Sequence, residues 1–261
     1  MKFSWYALPK NVRVISILVA AFVVWQIVVV AFKIPELLMP SPLQVLKTIV
    51  ASPEYYLAHT LRTFYETAMG FVLAVLIGVV LSVLIISSRF LEETIYVLLI
   101  GSNGIPKVAV APLFVVWLGT GLLPKVAISA TIAIFVIVID LVLGFRSVDR
   151  DMLDLARTLK GSRWKTLFLI RFPHALPNLF AGMKAATTLA LIGSVVGEFV
   201  ASDRGLGYII MVAQGSFDTV QIFASIAILG AMGTSLFFLV EWIERLVLPW
   251  HVSLRVGHEG H

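Results

Sequence analysis

Long stretches without charged residues run through this chain and predict helices that cross a membrane. Three stretches of 19 to 22 residues, at 14–32, 67–88 and 219–240, contain no Asp, Glu, Lys or Arg. Because an α-helix rises about 1.5 Å per residue, each can cross the roughly 30 Å hydrocarbon core of a bilayer. The pattern therefore predicts three full spans.

The middle of the chain predicts three further spans, at about 93–118, 122–143 and 176–201, and these are irregular. Charged residues interrupt them at Lys107, Lys125, Asp140, Lys184 and Glu198, and the predicted helix breaks are Pro106, Pro112, Gly119 and Gly121. Charged or broken spans are unfavourable in lipid, so we expect them to face a bundle interior or an aqueous path. The alternative for Lys107 or Lys125 alone is that its amine reaches the membrane surface.

Composition supports a membrane protein. Of 261 residues, 59% are hydrophobic and 13% are charged, whereas soluble domains carry roughly 25% charged residues. This excludes a soluble core enzyme, and the absence of cysteine excludes disulfides, thiolate metal sites and cysteine nucleophiles. The fold class is therefore an all-α membrane protein with about six transmembrane helices.

Positive charge predicts the orientation. Seven Lys or Arg residues lie in 144–173, against two in 33–59 and Arg204 alone after the fifth span. Because cytoplasmic loops carry the excess of Lys and Arg, both termini and the 144–173 segment are expected in the cytoplasm. The net charge of +5 thus reflects membrane orientation, and no nucleic-acid partner is expected.

Motifs for chemistry are missing from the sequence. There is no phosphate-binding G-x-x-x-x-G-K-[ST] loop, no H-E-x-x-H and no G-x-S-x-G. His258 and His261 are better explained as part of a C-terminal tail than as a metal site. We expect no catalytic residues, metal or cofactor in this chain, so energy for uphill transport would come from another subunit.

A short amphipathic helix is predicted at about 149–160. Its apolar stripe consists of Met152, Leu155, Ala156 and Leu159, at i, i+3, i+4 and i+7. Asp149 or Asp151 can cap its start, and Gly161 can end it in the left-handed conformation. The stripe is too narrow for a span. It could lie on the membrane surface, but the acidic residues of this segment favour a protein groove.

This segment resembles the "EAA" loop of binding-protein-dependent ABC importer permeases, which reads E-A-A-x-x-x-G with a later I-x-L-P. The matching residues are Asp154-Leu155-Ala156, Gly161 and the run at 170–173. The chain departs by Asp154, by Leu155, by Phe172 and by four residues instead of three before the glycine. In that family the loop forms a coupling helix that docks on the ATP-binding subunit. The resemblance therefore implies ATPase-coupling residues at Asp151, Asp154, Leu155, Ala156, Leu159 and Gly161.

Two more stretches resemble the nitrate/taurine/alkanesulfonate branch of this family: PKVAVAPLFVVWLGTG at 106–121 and GEFVASDRGLGY at 197–208. The resemblance implies a type I importer permease in a bacterial inner membrane, paired with a second permease subunit. We expect that subunit to be an identical copy, and the alternative is a different permease chain. The resemblance also implies two ATP-binding subunits that hold ATP and Mg, and an external binding protein. The implied solute is small and polar. The sequence of the segment at 106–208 is slightly closer to that of pyrimidine and riboflavin-type members of the branch.

The resemblance divides the chain into three parts: an N-terminal transmembrane helix with an external loop at 1–55, a core permease domain at 56–250 and a tail at 251–261. In the core, Glu198 and Ser194 share a helix face, and an intramembrane carboxylate indicates a transport path or gate. Glu198 could instead brace the glycine turn at 205–207. A secondary transporter without an ATPase is the alternative function, although it leaves the docking helix unexplained.

Overall fold

The computed structural model describes residues 10–249, and these residues are almost entirely helical. The helices are α1 (Lys10–Ala31), α2 (Pro42–Ala51), α3 (Pro53–Ser87), α4 (Arg89–Asn103), α5 (Lys107–Leu118), α6 (Leu122–Arg146), α7 (Arg150–Thr158), α8 (Arg163–Thr166), α9 (Phe172–Ala201), α10 (Leu206–Gly215) and α11 (Thr219–Val247). A π-helical segment, Leu167–Arg171, joins α8 to α9. The predicted tail at 251–261, which includes His258 and His261, lies outside the described residues.

Four helices of the described chain are long and apolar enough to cross a membrane: Pro53–Ser87, Leu122–Arg146, Arg163–Ala201 and Thr219–Val247. The predicted first span is α1, whose apolar part, Ile15–Ala31, is shorter. The predicted third span is divided into α4 and α5. All six predicted spans therefore correspond to helices, and the third is broken as its composition indicates.

The break between α4 and α5 falls before Lys107, where Pro106 adopts an extended conformation. Gly119 and Gly121, both at positive φ, separate α5 from α6. The prediction for Pro112 is wrong, because α5 continues through it. This proline removes only the bond to the Val108 carbonyl, one turn earlier, and the flanking turns hold the helix together.

Helices α2 and α10 are not among the predicted elements. Ser41 caps α2 through a reciprocal pair of hydrogen bonds with Gln44, and Pro42 occupies its first turn. Gly205, at φ +112°, begins α10. Both helices pack into one apolar cluster at the end of the bundle opposite α7, through Val45 on α2 and Leu206 on α10.

The core lies where α6 packs between α3 and α9, around alanines and Ile137. Glycines bring the helix backbones close to one another. A Cβ atom on Gly193 would lie 2.5 Å from the Ser129 Cα, and one on Gly197 would lie 3.0 Å from the Lys125 Cα. Small residues at such positions favour helix association in membranes. The three helices therefore form a tightly packed unit.

Candidate functional site

Helix α7 has the predicted start. The Asp149 carboxylate accepts a hydrogen bond of 3.0 Å from the backbone N–H of Asp151, which satisfies one of the donors that a helix leaves open. On its outer face Arg157 and Asp154 form an exposed ion pair of 2.8 Å. A nine-residue helix is marginal by itself, so α7 depends on its contacts with the bundle.

The end of α7 differs from the prediction. Lys160, not Gly161, adopts the left-handed conformation, with φ +54°. The N–H of Gly161 donates to the Ala156 carbonyl and that of Lys160 to the Arg157 carbonyl, both at 2.9 Å, which is the Schellman arrangement. The reason is the extra residue before the glycine, which places a lysine where the family pattern has glycine.

Gly161 is required for space instead. A Cβ atom there would lie 3.0 Å from the Ala156 carbonyl oxygen, which is closer than nearly all such contacts in proteins. The N–H of Gly161 and the Ala156 carbonyl are also hydrogen-bonded, so the two residues meet at the helix end. Gly161 therefore closes the turn by close approach.

The apolar stripe of α7 is divided between the bundle and the exterior. Ala156 is buried and Leu153 is half-buried against the rest of the chain. Met152, Leu155 and Leu159 remain 51%, 60% and 74% exposed. We call these three side chains the apolar ridge. No described residue covers the ridge, and a contiguous exposed apolar surface marks an interaction site.

Charged residues flank the ridge. Asp151 and Asp154, both predicted coupling residues, are exposed on α7. Arg150 and Arg157 are exposed on the same helix, so the ridge lies among charges of both signs, which a protein groove can match with complementary charges. The geometry therefore favours the protein-groove interpretation of this helix over the membrane-surface one.

A second site, which we call the polar layer, lies inside the bundle near the start of α3. Its members come from three helices: Thr63, Glu66 and Thr67 on α3, Lys125 on α6, and Ser194 and Glu198 on α9. All six side chains are buried. Buried polar groups require partners, and most of these find them in one another or in nearby backbone.

An ion pair holds the centre of the polar layer. The Lys125 Nζ lies 3.0 Å from the Glu66 Oε1, and the two residues are 1% and 0% exposed. Arg62, one turn before Glu66 on α3, contacts the same oxygen at 2.7 Å. Lys125 also donates to the Ser202 hydroxyl. The surface-reaching alternative for Lys125 is therefore wrong: its carboxylate partner on α3 stabilises the amine inside the bundle.

Glu198 lies beside this pair and joins three elements. Its Oε1 accepts from the Thr63 hydroxyl and its Oε2 from the Gly207 N–H, each at 2.6 Å. A Cβ atom on Gly207 would lie 2.8 Å from that Oε2, so only glycine fits. Thr63 in turn accepts from the N–H of Leu206. The carboxylate therefore ties α9 to α3 and to the start of α10, which is the bracing geometry.

Ser194 lies one turn earlier and faces α3. Its hydroxyl is 2.6 Å from that of Thr67 and also bonds to the Leu191 carbonyl. Ser194 and Glu198 therefore belong to one buried hydrogen-bonded layer. Sequence reasoning missed Thr63 and Thr67, and the available signal was their spacing around Glu66 on one helix.

The remaining intramembrane charges also have neighbours. Lys184 pairs with Glu244 of α11 at 2.9 Å. Lys107 lies over the ring of Phe135, with its amine 5.4 Å from the ring centre. Asp140 packs against Gly182 of α9. Among residues 10–249, no three His, Asp or Glu side chains are grouped as metal ligands would be.

Comparison with known proteins gives a consistent result. Residues 70–250 match a family described as the binding-protein-dependent transport system inner membrane component. The riboflavin transport system permease protein RibX of Chloroflexus aurantiacus is 37% identical over 254 residues, covering 97% of this chain and 93% of that protein. The formylaminopyrimidine transport permease protein ThiX of Halalkalibacterium halodurans is 32% identical, covering 96% and 98%.

A solved structure shares the fold. The crystal structure of an amino acid ABC transporter with histidines has a TM-score of 0.64 and 16% identity, covering 76% of this chain and 96% of the other. This confirms the predicted ABC importer permease fold.

Proposed function

Because this chain belongs to the family of binding-protein-dependent transport system inner membrane components, we propose that it forms the import path for a small polar solute and is driven through α7. It is a multi-pass inner-membrane permease subunit of an ABC importer, and the family is a transport component, not a catalytic subunit. In the proposed assembly, two copies of this permease bind two ATP-binding subunits, which hold ATP and Mg. An external binding protein delivers the solute.

The observation that carries the coupling role is the apolar ridge. Met152, Leu155 and Leu159 are exposed on a helix that is capped at both ends. We place the ridge in a groove of the ATP-binding subunit, with Asp151 and Asp154 at the rim. When the two ATP-binding subunits close around ATP, they would move α7 as a rigid lever. This movement would tilt α6 and α9, because both helices connect to α7 at the same end of the bundle.

The coupling role can be tested by substituting residues of the apolar ridge. We expect Leu155→Asp with Leu159→Asp to abolish copurification of the ATP-binding subunit encoded with this permease, because two carboxylates would enter an apolar contact. The matched control is Leu155→Met with Leu159→Met, which conserves volume and apolarity and should retain binding. Since the leucines are exposed in this chain, the aspartate variant should reach normal abundance in the membrane. Retained copurification would contradict the proposal.

The polar layer is proposed as the gate at the outer end of the path. It joins α3, α6 and α9 at the end of the bundle opposite α7. Opening this end would separate Glu198 from Thr63, so the layer would favour the closed state. In this proposal Ser194 and Glu198 act on the path by holding it shut.

A secondary transporter is not favoured, because the family and its relatives are transport-system permeases. The discriminating measurement is solute uptake after a substitution that blocks ATP hydrolysis in the partner subunit. Loss of uptake supports the importer, and retained uptake would support the alternative.

The proposed solute is a small polar heteroaromatic compound. Support comes from two relatives that match nearly their whole length, one named for riboflavin and the other for formylaminopyrimidine. The external binding protein encoded with this permease can be screened by thermal shift, since a bound ligand raises the melting temperature by mass action. A shift with flavins or aminopyrimidines supports this class, whereas a shift only with nitrate or taurine would contradict it.

A further inference from the structure

A cavity of about 560 Å³ lies beside α7, at the end of the bundle that we assign to the cytoplasm. It is far larger than a single water, whose share of liquid volume is about 30 Å³. Its walls come from the end of α3, from α7 and from the beginning of the long helix at 163–201. The lining includes three arginines, Arg157, Arg163 and Arg171, and several large apolar residues, among them Ile86, Leu153 and Trp164.

The cavity is positively charged. No carboxylate lines it. Asp154 offsets Arg157 at its exposed edge, while Arg163 and Arg171 form no ion pair with any residue in 10–249. Arg157 and Arg171 are close enough to repel each other as like charges. Three guanidinium groups around one space are stabilised by an anion from outside the chain, and arginine pairs with phosphate through two parallel hydrogen bonds.

The π-helical segment helps to produce this convergence. In a regular α-helix, residues eight apart, such as Arg163 and Arg171, are rotated by about 80° around the axis. The wider turns at Leu167–Arg171 reduce that rotation and bring the two side chains to one side. Such segments are rare and often lie at functional sites. The local distortion therefore coincides with the charge cluster.

The apolar half of the cavity indicates the source of the anion. Ile86 lies one residue before the end of α3, at the expected membrane boundary, and Leu153 and Trp164 face the same space. Tryptophan favours this interface, and basic pockets between transmembrane helices on the cytoplasmic side accept anionic lipid headgroups. We propose that this cavity binds the phosphate of an anionic phospholipid, with the glycerol and first acyl carbons against Ile86, Leu153 and Trp164.

Trp164 provides the test. The full-length permease is placed in phosphatidylcholine vesicles containing a minor fraction of dibrominated phosphatidylglycerol or, separately, dibrominated phosphatidylcholine. Trp164 emission is obtained by subtracting the Trp164→Phe variant. We expect stronger quenching by the anionic lipid, and Arg163→Gln with Arg171→Gln should reduce it to the phosphatidylcholine level.

The control removes the same charge elsewhere. Arg89 and Arg245 are exposed and pair with Glu93 and Glu241 within their own helices, so Arg89→Gln with Arg245→Gln should retain the quenching. Equal quenching by the two lipids, or quenching that survives the Arg163/Arg171 substitutions, would overturn the proposal. Relief of quenching by inorganic phosphate would assign the phosphate site to a soluble anion and overturn the lipid assignment.

The site also deepens the proposed function. A phosphate held by Arg157 and Arg171 would link α7 to the long helix and stiffen the lever that the ATPase moves. This consequence rests on the proposed coupling role, whereas the quenching assay does not. A negative result in the uptake or copurification assays would therefore not affect the lipid proposal. A negative result in the quenching assay would not affect the proposed coupling role.

Discussion

At the scale of single residues, charge inside this bundle is tolerated where it is paired. Glu66 and Lys125 are almost fully buried and 3.0 Å apart. Removing a charge from water has a large desolvation penalty, so breaking such a pair is far more harmful than never having it. The pair therefore stabilises the contact between α3 and α6 only as long as both partners are present.

We expect Lys125→Met alone to lower the free energy of unfolding by about 3–5 kcal/mol, since it leaves Glu66 with only the half-exposed Arg62. Adding Glu66→Leu should recover most of the loss. Thermal denaturation of the purified permease in detergent measures both. Arg89→Gln is the control, because its partner Glu93 is exposed and such pairs contribute about 0–1 kcal/mol. Equal stability of the single and double variants would contradict this account.

The backbone of Lys160 is strained. It holds φ +54° at the end of α7, a conformation that disfavours residues with a Cβ atom by roughly 1–2 kcal/mol. Lys160→Gly should therefore slow hydrogen exchange of the α7 amides. Gly161→Ala, which places a Cβ 3.0 Å from the Ala156 oxygen, should accelerate it. Faster exchange in Lys160→Gly would show that the lysine side chain stabilises this turn.

At the scale of elements, α7 must be rigid to transmit force. We expect Ala156→Pro to abolish uptake at normal abundance, because a proline in the helix interior removes a hydrogen bond and clashes with the preceding turn. Arg150→Pro is the matched control. Arg150 is the first helical residue after the Asp149 cap, where proline is well accepted, so its uptake should persist. Normal uptake by the Ala156 variant would rule out a rigid lever.

Element boundaries show where sequence reasoning succeeds and why it fails. All six spans are predictable because lipid demands long apolar stretches. The start of α3 cannot be predicted in this way. The charge of Glu66 suggests a boundary there, whereas the helix extends back to Pro53. A charge with a partner does not end a helix, and the partner of Glu66, Lys125, is 59 residues away in the sequence. That pairing is invisible to local pattern.

Helices α2 and α10 were missed for another reason. With ten residues each, α2 and α10 are too short to be recognised as membrane-spanning helices, although Ser41 and Gln44 form a recognisable capping box.

For Glu198, the sequence indicates an important carboxylate but not its partners. Thr63 and Gly207 meet it only through tertiary packing, so the bracing geometry required the structure.

At the scale of the whole molecule, the two ends of the bundle have different chemistry. One end carries α7, the Arg-lined cavity and the Arg146–Glu92 pair. The opposite end carries the polar layer, α2 and α10. The excess of Lys and Arg in 144–173 predicts that the α7 end lies in the cytoplasm, where an ATPase could reach it.

This orientation can be tested directly because the chain contains no cysteine. Single cysteines at Arg89, near α7, and at Ser216, after α10, lie on exposed positions at opposite ends. We expect a membrane-impermeant maleimide to label Ser216→Cys in intact spheroplasts. It should label Arg89→Cys only after the membrane is permeabilised. The reverse pattern would put α7 outside, out of reach of any cytoplasmic ATPase, and would exclude the coupling role. Labelling of both in intact cells would contradict the assignment of the two ends to opposite faces of the membrane.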